Sequence, residues 1–384
     1  MKKQFFCIVL LLLFLPVLSF PAEAADETAE ALPPELQEGY ETMLDAIPDG
    51  VRDQLPDDFT SENGEGLSSA IGEMLEPSYL AAVILEALGV YLDDALRLLA
   101  SLFGILILSA VFSAVRRSVK SSALGRVVTL VASCAILAAI ADTQTKLFSQ
   151  LSDYFSQLSV LAGGMIPVSG VLYAMGGNVA GAATGGAAMS IFLAISEFVG
   201  GELLFPTVGA CLALACVPVF APGLNVRSLS ACIKKTFTFC LGFLMMMMSA
   251  LLALRSGLAM KADSISARTV KYVASSVIPV VGGSIADSLR TVGASVEYLR
   301  TTVGVAGILL VVLLLVPVLV NVLVTRFCLI LAESTAEVLG CDGEARLLSE
   351  LVSVYGYILA VAVMCAVMFI FALTILTRTA AAIG

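Results

Sequence analysis

Residues 303–325 read VGVAGILLVVLLLVPVLVNVLVT, without a single charge. About 20 consecutive apolar residues let a helix cross the hydrocarbon core of a bilayer, and this stretch exceeds that length. Strong apolar runs also occur at 95–115, 124–141, 180–200, 203–220, 236–254 and 353–377, and two weaker ones, rich in Gly and Pro, at 158–177 and 272–289. The expected fold is therefore an all-α polytopic membrane protein with about 7–9 transmembrane helices, some of them broken by Gly or Pro.

Composition agrees. The 384 residues are 59% hydrophobic and 14% charged, with mean hydropathy +0.99. Soluble domains carry about 25% charged residues, so the polar side chains here are too few to cover a water-facing surface. The chain has no His and no Trp. Without His it loses the commonest general base and metal ligand, and a Ser-His-Asp triad is excluded. The nine Cys are scattered, none in a C-x-x-C spacing. No Walker A or H-E-x-x-H pattern is present. An enzyme is not expected, nor a cofactor, a metal site or a nucleic-acid partner.

The N-terminus has the layout of a secretory signal. Lys2 and Lys3 precede an apolar stretch from Phe5 to Phe20, and Ala22-Glu23-Ala24 offers small residues for cleavage after Ala24. Residues 25–94 then hold 18 Asp or Glu against one Arg, a charge of −17 on a chain of net −10, so the remaining residues carry +7. The chain thus divides into a cleavable signal peptide (1–24), an acidic extracytoplasmic leader, helical or disordered (25–94), and a transmembrane domain (95–384). Pro77 to Leu92 reads as a helix leading into the membrane.

Lys and Arg in short loops favour the cytoplasmic side. Arg116, Arg117, Lys120 and Arg126 put the first loop inside, as do Arg227, Lys234 and Lys235 for a later one. The stretch Glu333–Glu350 has five acids and one Arg and is expected outside, with Arg378 ending the last span inside. These sides close consistently only if both weak runs cross, giving nine spans, although Arg255, Lys261, Arg268 and Lys271 would then lie outside.

Several residues are candidates for function. Met165-Ile166-Pro167-Val168-Ser169-Gly170 recurs as Val277-Ile278-Pro279-Val280-Val281-Gly282, with Gly283 following. Pro removes a backbone donor and Gly loosens a helix, and paired interrupted segments point to a transport path. Gly177, Gly181 and Gly185 are spaced to let a second helix approach closely, or to line a pore. Glu197, close to the end of an apolar run, is either an intramembrane carboxylate or an interfacial one. Asn321, inside the 303–325 run, reads as interhelical hydrogen-bonding glue rather than a ligand.

Two runs carry a family resemblance. Gly164-Met-Ile-Pro-Val-Ser-Gly-Val-Leu-Tyr-Ala-Met-Gly-Gly-Asn-Val-Ala-Gly-Ala-Ala and Ala267-Arg-Thr-Val-Lys-Tyr-Val-Ala-Ser-Ser-Val-Ile-Pro-Val-Val-Gly-Gly-Ser resemble the stage III sporulation protein AE family. The long span with Pro317, the acidic loop and the final apolar span follow in the same order. The resemblance implies a multi-pass protein of the mother-cell membrane around the forespore. Its implied partners are the other proteins of the same sporulation operon and a forespore membrane protein, joined in a transenvelope channel that supports late forespore gene expression. A homo-oligomer is left open, as are a stand-alone secondary transporter and a non-conducting scaffold. The resemblance implies no catalytic residue.

Overall fold

The computed structural model describes Ile47, residues 49–52, 55–56, Phe59, 64–119, 122–175, 190–191, 194–195, 198–220, 228–244, 246–247, 250 and 282–378. All regular structure among them is helical. Short α1 (Asp49–Arg52) and α2 (Gly64–Leu75) precede two long helices, α3 (Pro77–Val119) and α4 (Ser122–Met175). A π-helical turn, Phe198–Leu204, leads into α5 (Phe205–Phe220). Helix α6 covers 228–244. The chain ends in α7 (Gly282–Val338) and α8 (Asp342–Arg378). The expected signal peptide, residues 25–46 of the acidic leader, most of the run 180–200 and residues 272–281 of the weak run 272–289 lie outside the described residues.

Among the described residues four helical stretches are long and apolar enough to cross a membrane: Pro77–Ala114, Val127–Val168, Thr302–Val338 and Asp342–Thr374. Glu202–Val217 is a shorter apolar helix. Four strong runs of the sequence fall in the first group and 203–220 falls in the last. The weak run 158–177 requires correction, because it is no separate span. It continues α4, whose 54 residues pass through Pro167 and reach about 80 Å at 1.5 Å per residue. Pro forfeits one hydrogen bond and crowds the carbonyl four residues back. Here that residue is Gly163, and Pro167 itself faces outward, so the helix continues unbroken. Pro317 likewise lies inside α7.

Burial separates the helices into two kinds. In α7, 83% of the most apolar stretch is buried inside the protein, against 28% in α3 and in α4. Val305, Ala306 and every residue from Ile308 to Leu315 are buried. A helix apolar on all sides suits the centre of a bundle, and α7 packs against α8, α3, α4, α2 and α1. The leader contributes to that core. Ile47, Val51, Leu55, Phe59, Ile71 and Met74 are buried within it. By contrast Ile107, Leu108, Val111 and Phe112 of α3 are exposed, as side chains facing lipid would be.

The register of the bundle is fixed by a few contacts. Lys146 reaches Asp94 at 3.1 Å, and Gln150 joins Tyr91 and Asn321, so α3, α4 and α7 share one level there. Gly307 of α7 meets Met165 of α4 and Leu373 of α8 at a second level. At the other end Gly340, with φ of 70°, turns α7 into α8. A positive φ suits glycine, which has no Cβ to clash.

The α7–α8 turn overturns one expectation. Ser109 donates to Glu344 at 2.6 Å, Gly343 abuts Thr129, and Lys234 lies 3.7 Å from Glu350. Residues 339–350 therefore share an end with the α3–α4 turn and with Lys234, instead of lying opposite them. Arg378, at the far end of α8, falls at the other end, away from the basic loops. The physical reason is that Asp and Glu carry little weight in orientation. The carboxylates of this turn are met by a hydroxyl and an ammonium from neighbouring helices. With native cysteines replaced, Val338→Cys and Ser118→Cys are expected to react with a membrane-impermeant maleimide from the same side. Labelling from opposite sides would refute this arrangement.

Candidate functional site

The polar groups inside this apolar bundle form two clusters. The first joins α3, α4 and α7. Asn321 donates through Nδ2 to Gln150 Oε1 at 2.5 Å, and Gln150 donates through Nε2 to the Tyr91 hydroxyl at 2.8 Å. Thr325, one turn on from Asn321, donates to Asn321 Oδ1 at 3.3 Å. Lys146 adds ion pairs to Asp94 and Asp142 on the exposed side. Water screens exposed pairs of this kind, so the amide ladder is the stronger link.

Polar groups without a partner among the described residues lie close to the same level. Arg326 lays its guanidinium on α8, with Cζ and Nη2 each 3.2 Å from where a Cβ on Gly356 would stand. A side chain at 356 would require the guanidinium to shift by a few tenths of an ångström. Arg326 Nε and both amide atoms of buried Gln144 lack a hydrogen-bond partner among the described residues. Counted from the Gln150–Asn321 contact along antiparallel α4 and α7, Gln144 stands level with residues 326–327. Buried polar atoms normally find a partner, so this level of the bundle has the chemistry to hold water.

The second cluster joins α6 to α8. Lys234 donates to the Ser353 hydroxyl at 2.7 Å and lies 3.7 Å from Glu350. Both ion-pair side chains are nearly buried, at 11% and 12% exposure. Phe237 packs edge-on against Tyr357, with ring centroids 5.5 Å apart. Glu344, 2% exposed, receives the short bond from Ser109 at the adjoining end.

The residues singled out by sequence are dispersed. Asn321 sits in the first cluster. Pro167 faces outward one turn from buried Met165 and Val168. A Cβ at Gly170 would meet nothing within 4 Å, so that glycine is not a close-packing point. Gly282 and Gly283 form the first turn of α7. Gly177, Gly181, Gly185, Glu197 and Pro279 lie outside the described residues. The close approach is at Gly307 instead, where a Cβ would stand 3.1 Å from Leu373 Cδ1 and 3.2 Å from Met165 Cε. Sequence reasoning passed over Gly307, Gln150, Tyr91 and Glu350, and it read Lys234 as a loop residue, whereas it is buried within α6. Gly304 and Gly307 inside the longest apolar run were a signal for the first. The ion pair joins residues too far apart in sequence to be paired by pattern.

Chemically, the arrangement is one of recognition and registration. The first cluster is a ladder of neutral amides and hydroxyls, and the second a single compensated charge pair. No group of three His, Cys, Asp or Glu side chains among the described residues is placed to hold a metal ion. Interhelical hydrogen bonds in membranes average about 0.6 kcal/mol and reach about 1.7. Asn321→Leu is expected to destabilise the protein in detergent by about 1 kcal/mol, since it severs two linked bonds. A loss no larger than that of Val338→Ala, an exposed control, would show the ladder to be incidental.

Comparison with known proteins gives one match. Residues 69–380 match the family of stage III sporulation protein AE. The matched region begins in α2 and takes in every long helix of the bundle. Neither a curated protein nor a solved structure matches the chain.

Proposed function

The chain belongs to the stage III sporulation protein AE family, and on that premise we propose that it is a membrane subunit of a transenvelope channel between mother cell and forespore. Membership itself gives it a role in stage III of sporulation. Four helices long and apolar enough to span a bilayer make it a membrane protein. The finer reading places it in the mother-cell membrane around the forespore. A cleaved signal leaves the acidic leader facing the space between the two membranes. Its partners are other proteins of the same operon and a forespore membrane protein, and it performs no catalysis.

The observation that carries this reading is the extent of the family match, 69–380, over the whole helical bundle. The described part of the leader supports it: Ile47, Val51, Phe59, Ile71 and Met74 are held in the bundle core, which would present exposed Glu73, Glu76 and Glu86 on a fixed scaffold to a partner. A clean deletion in an endospore-forming host is expected to leave engulfment intact and reduce late forespore reporter expression to background. Normal spores from that strain would end the proposal.

A second reading, a scaffold that conducts nothing itself, draws on one packing fact. Around Gly307 the centre of α4, α7 and α8 is filled by Met165 and Leu373. Cysteines placed next to Pro167 and Pro279 separate the two readings. A conducting subunit has water-accessible sites there and a scaffold has none.

A further inference from the structure

We propose that α6 and α8 form a binding site for an anionic phospholipid. A cavity of about 560 Å³ opens between them, lined by Lys234, Lys235, Thr238, Phe239, Ser353 and Tyr357 among others. Its polar end is cationic. Lys234 is held from behind by Glu350, and Lys235 is exposed, in no ion pair with a carboxylate among the described residues. Ser353 accepts its bond from Lys234, which leaves the Ser353 hydroxyl proton free to donate to a ligand. The cluster therefore offers one uncompensated ammonium and one hydroxyl donor to a phosphate oxygen.

The apolar end continues from the same residues. Lys235, Phe239 and Phe243 recur every four positions, which places them on one strip of α6, and exposed Met246 follows beyond its end. Phe239 is 73% exposed, Phe243 53% and Met246 68%. From Lys235 to Phe243 this strip is about 12 Å long at 1.5 Å per residue. On α8 the cavity lies at Ser353, Tyr357 and Ala360, where the polar turn segment gives way to the apolar run 353–377. A cation at that boundary, with a bare apolar track leading away from it, matches a phosphodiester joined to an acyl chain. A free phosphate would use the cation alone and leave the track without purpose. Basic pockets between membrane helices recognise anionic headgroups in this way.

The test uses the full-length protein purified in detergent, with phosphatidylglycerol and phosphatidylcholine of identical acyl chains followed by native mass spectrometry. Phosphatidylglycerol is expected to be retained in preference. Lys235→Gln is expected to lower that preference about fivefold, the weight of one lysine near an anionic headgroup, without changing phosphatidylcholine retention. Phe239→Ser is expected to weaken retention of both lipids. Both side chains are exposed, so neither change threatens folding. Equal retention of the two lipids by the unaltered protein would overturn the proposal. So would an unchanged preference in Lys235→Gln, or displacement of bound phosphatidylglycerol by millimolar inorganic phosphate, which would assign the site to a small anion.

Discussion

Lys234→Met is expected to destabilise the protein by about 3 kcal/mol, at the lower end of the range for removing one partner of a buried ion pair. The lower end applies because the pair is 3.7 Å apart and each side chain keeps about a tenth of its surface exposed. The cost arises from Glu350, left nearly buried with its ammonium partner gone. Ser353 would lose its bond from Lys234 as well. The double variant Lys234→Met with Glu350→Leu is expected to recover most of the loss, since replacing both partners with apolar side chains is often neutral. Unfolding free energies in mixed micelles measure all three variants. Additive losses in the double variant would show that the two residues do not act as a pair.

The second large effect is expected at Tyr154 of α4, which is 1% exposed. Its ring stands edge-on to Phe155 at 5.2 Å and its hydroxyl donates to the Ala362 carbonyl of α8 at 3.2 Å. Tyr154→Ala opens a cavity between two long helices and is expected to cost about 4 kcal/mol, the usual range for a buried aromatic being about 3–5. Tyr154→Phe keeps the ring and loses only the hydrogen bond, and is expected to cost about 1 kcal/mol. The ratio carries the content of the prediction. Equal losses would mean that the hydroxyl, and not the packing, secures α4 to α8.

Much of the architecture was legible without coordinates. The strong runs 95–115, 124–141, 303–325 and 353–377 lie in the four long apolar helices, and Pro77 to Leu92 does lead into the first of them. The polar stretch 142–157 misled, because it separates two apolar runs on one helix. Asp142, Lys146 and Asp153 look like loop residues in a hydropathy profile, yet helix α4 continues through them. Pro167 misled for a related reason: a proline weakens a helix locally, and the neighbouring turns carry it across.

The site was less legible than the fold. Asn321 stood out as an uncompensated amide in an apolar run, and such a residue announces itself. Gln150, its partner, sits among other polar residues and does not. The side on which 339–350 lies was misjudged because acidic residues were counted as if they repelled the cytoplasm. Their partners, Ser109 and Lys234, come from helices remote in sequence.

By itself, then, the sequence determined the solvent: a chain this apolar, cut into helix-length runs, belongs in a bilayer. It also carried the family, in the runs around Pro167 and Pro279. Only the tertiary structure decided which apolar helix faces lipid and which faces protein. Lipid tails are as apolar as leucine, so hydropathy reads α3 and α7 alike. Burial separates them, with α7 at the centre of the bundle and α3 on its surface. The same holds for Lys234 and Glu350, whose pairing depends on two helices meeting in space.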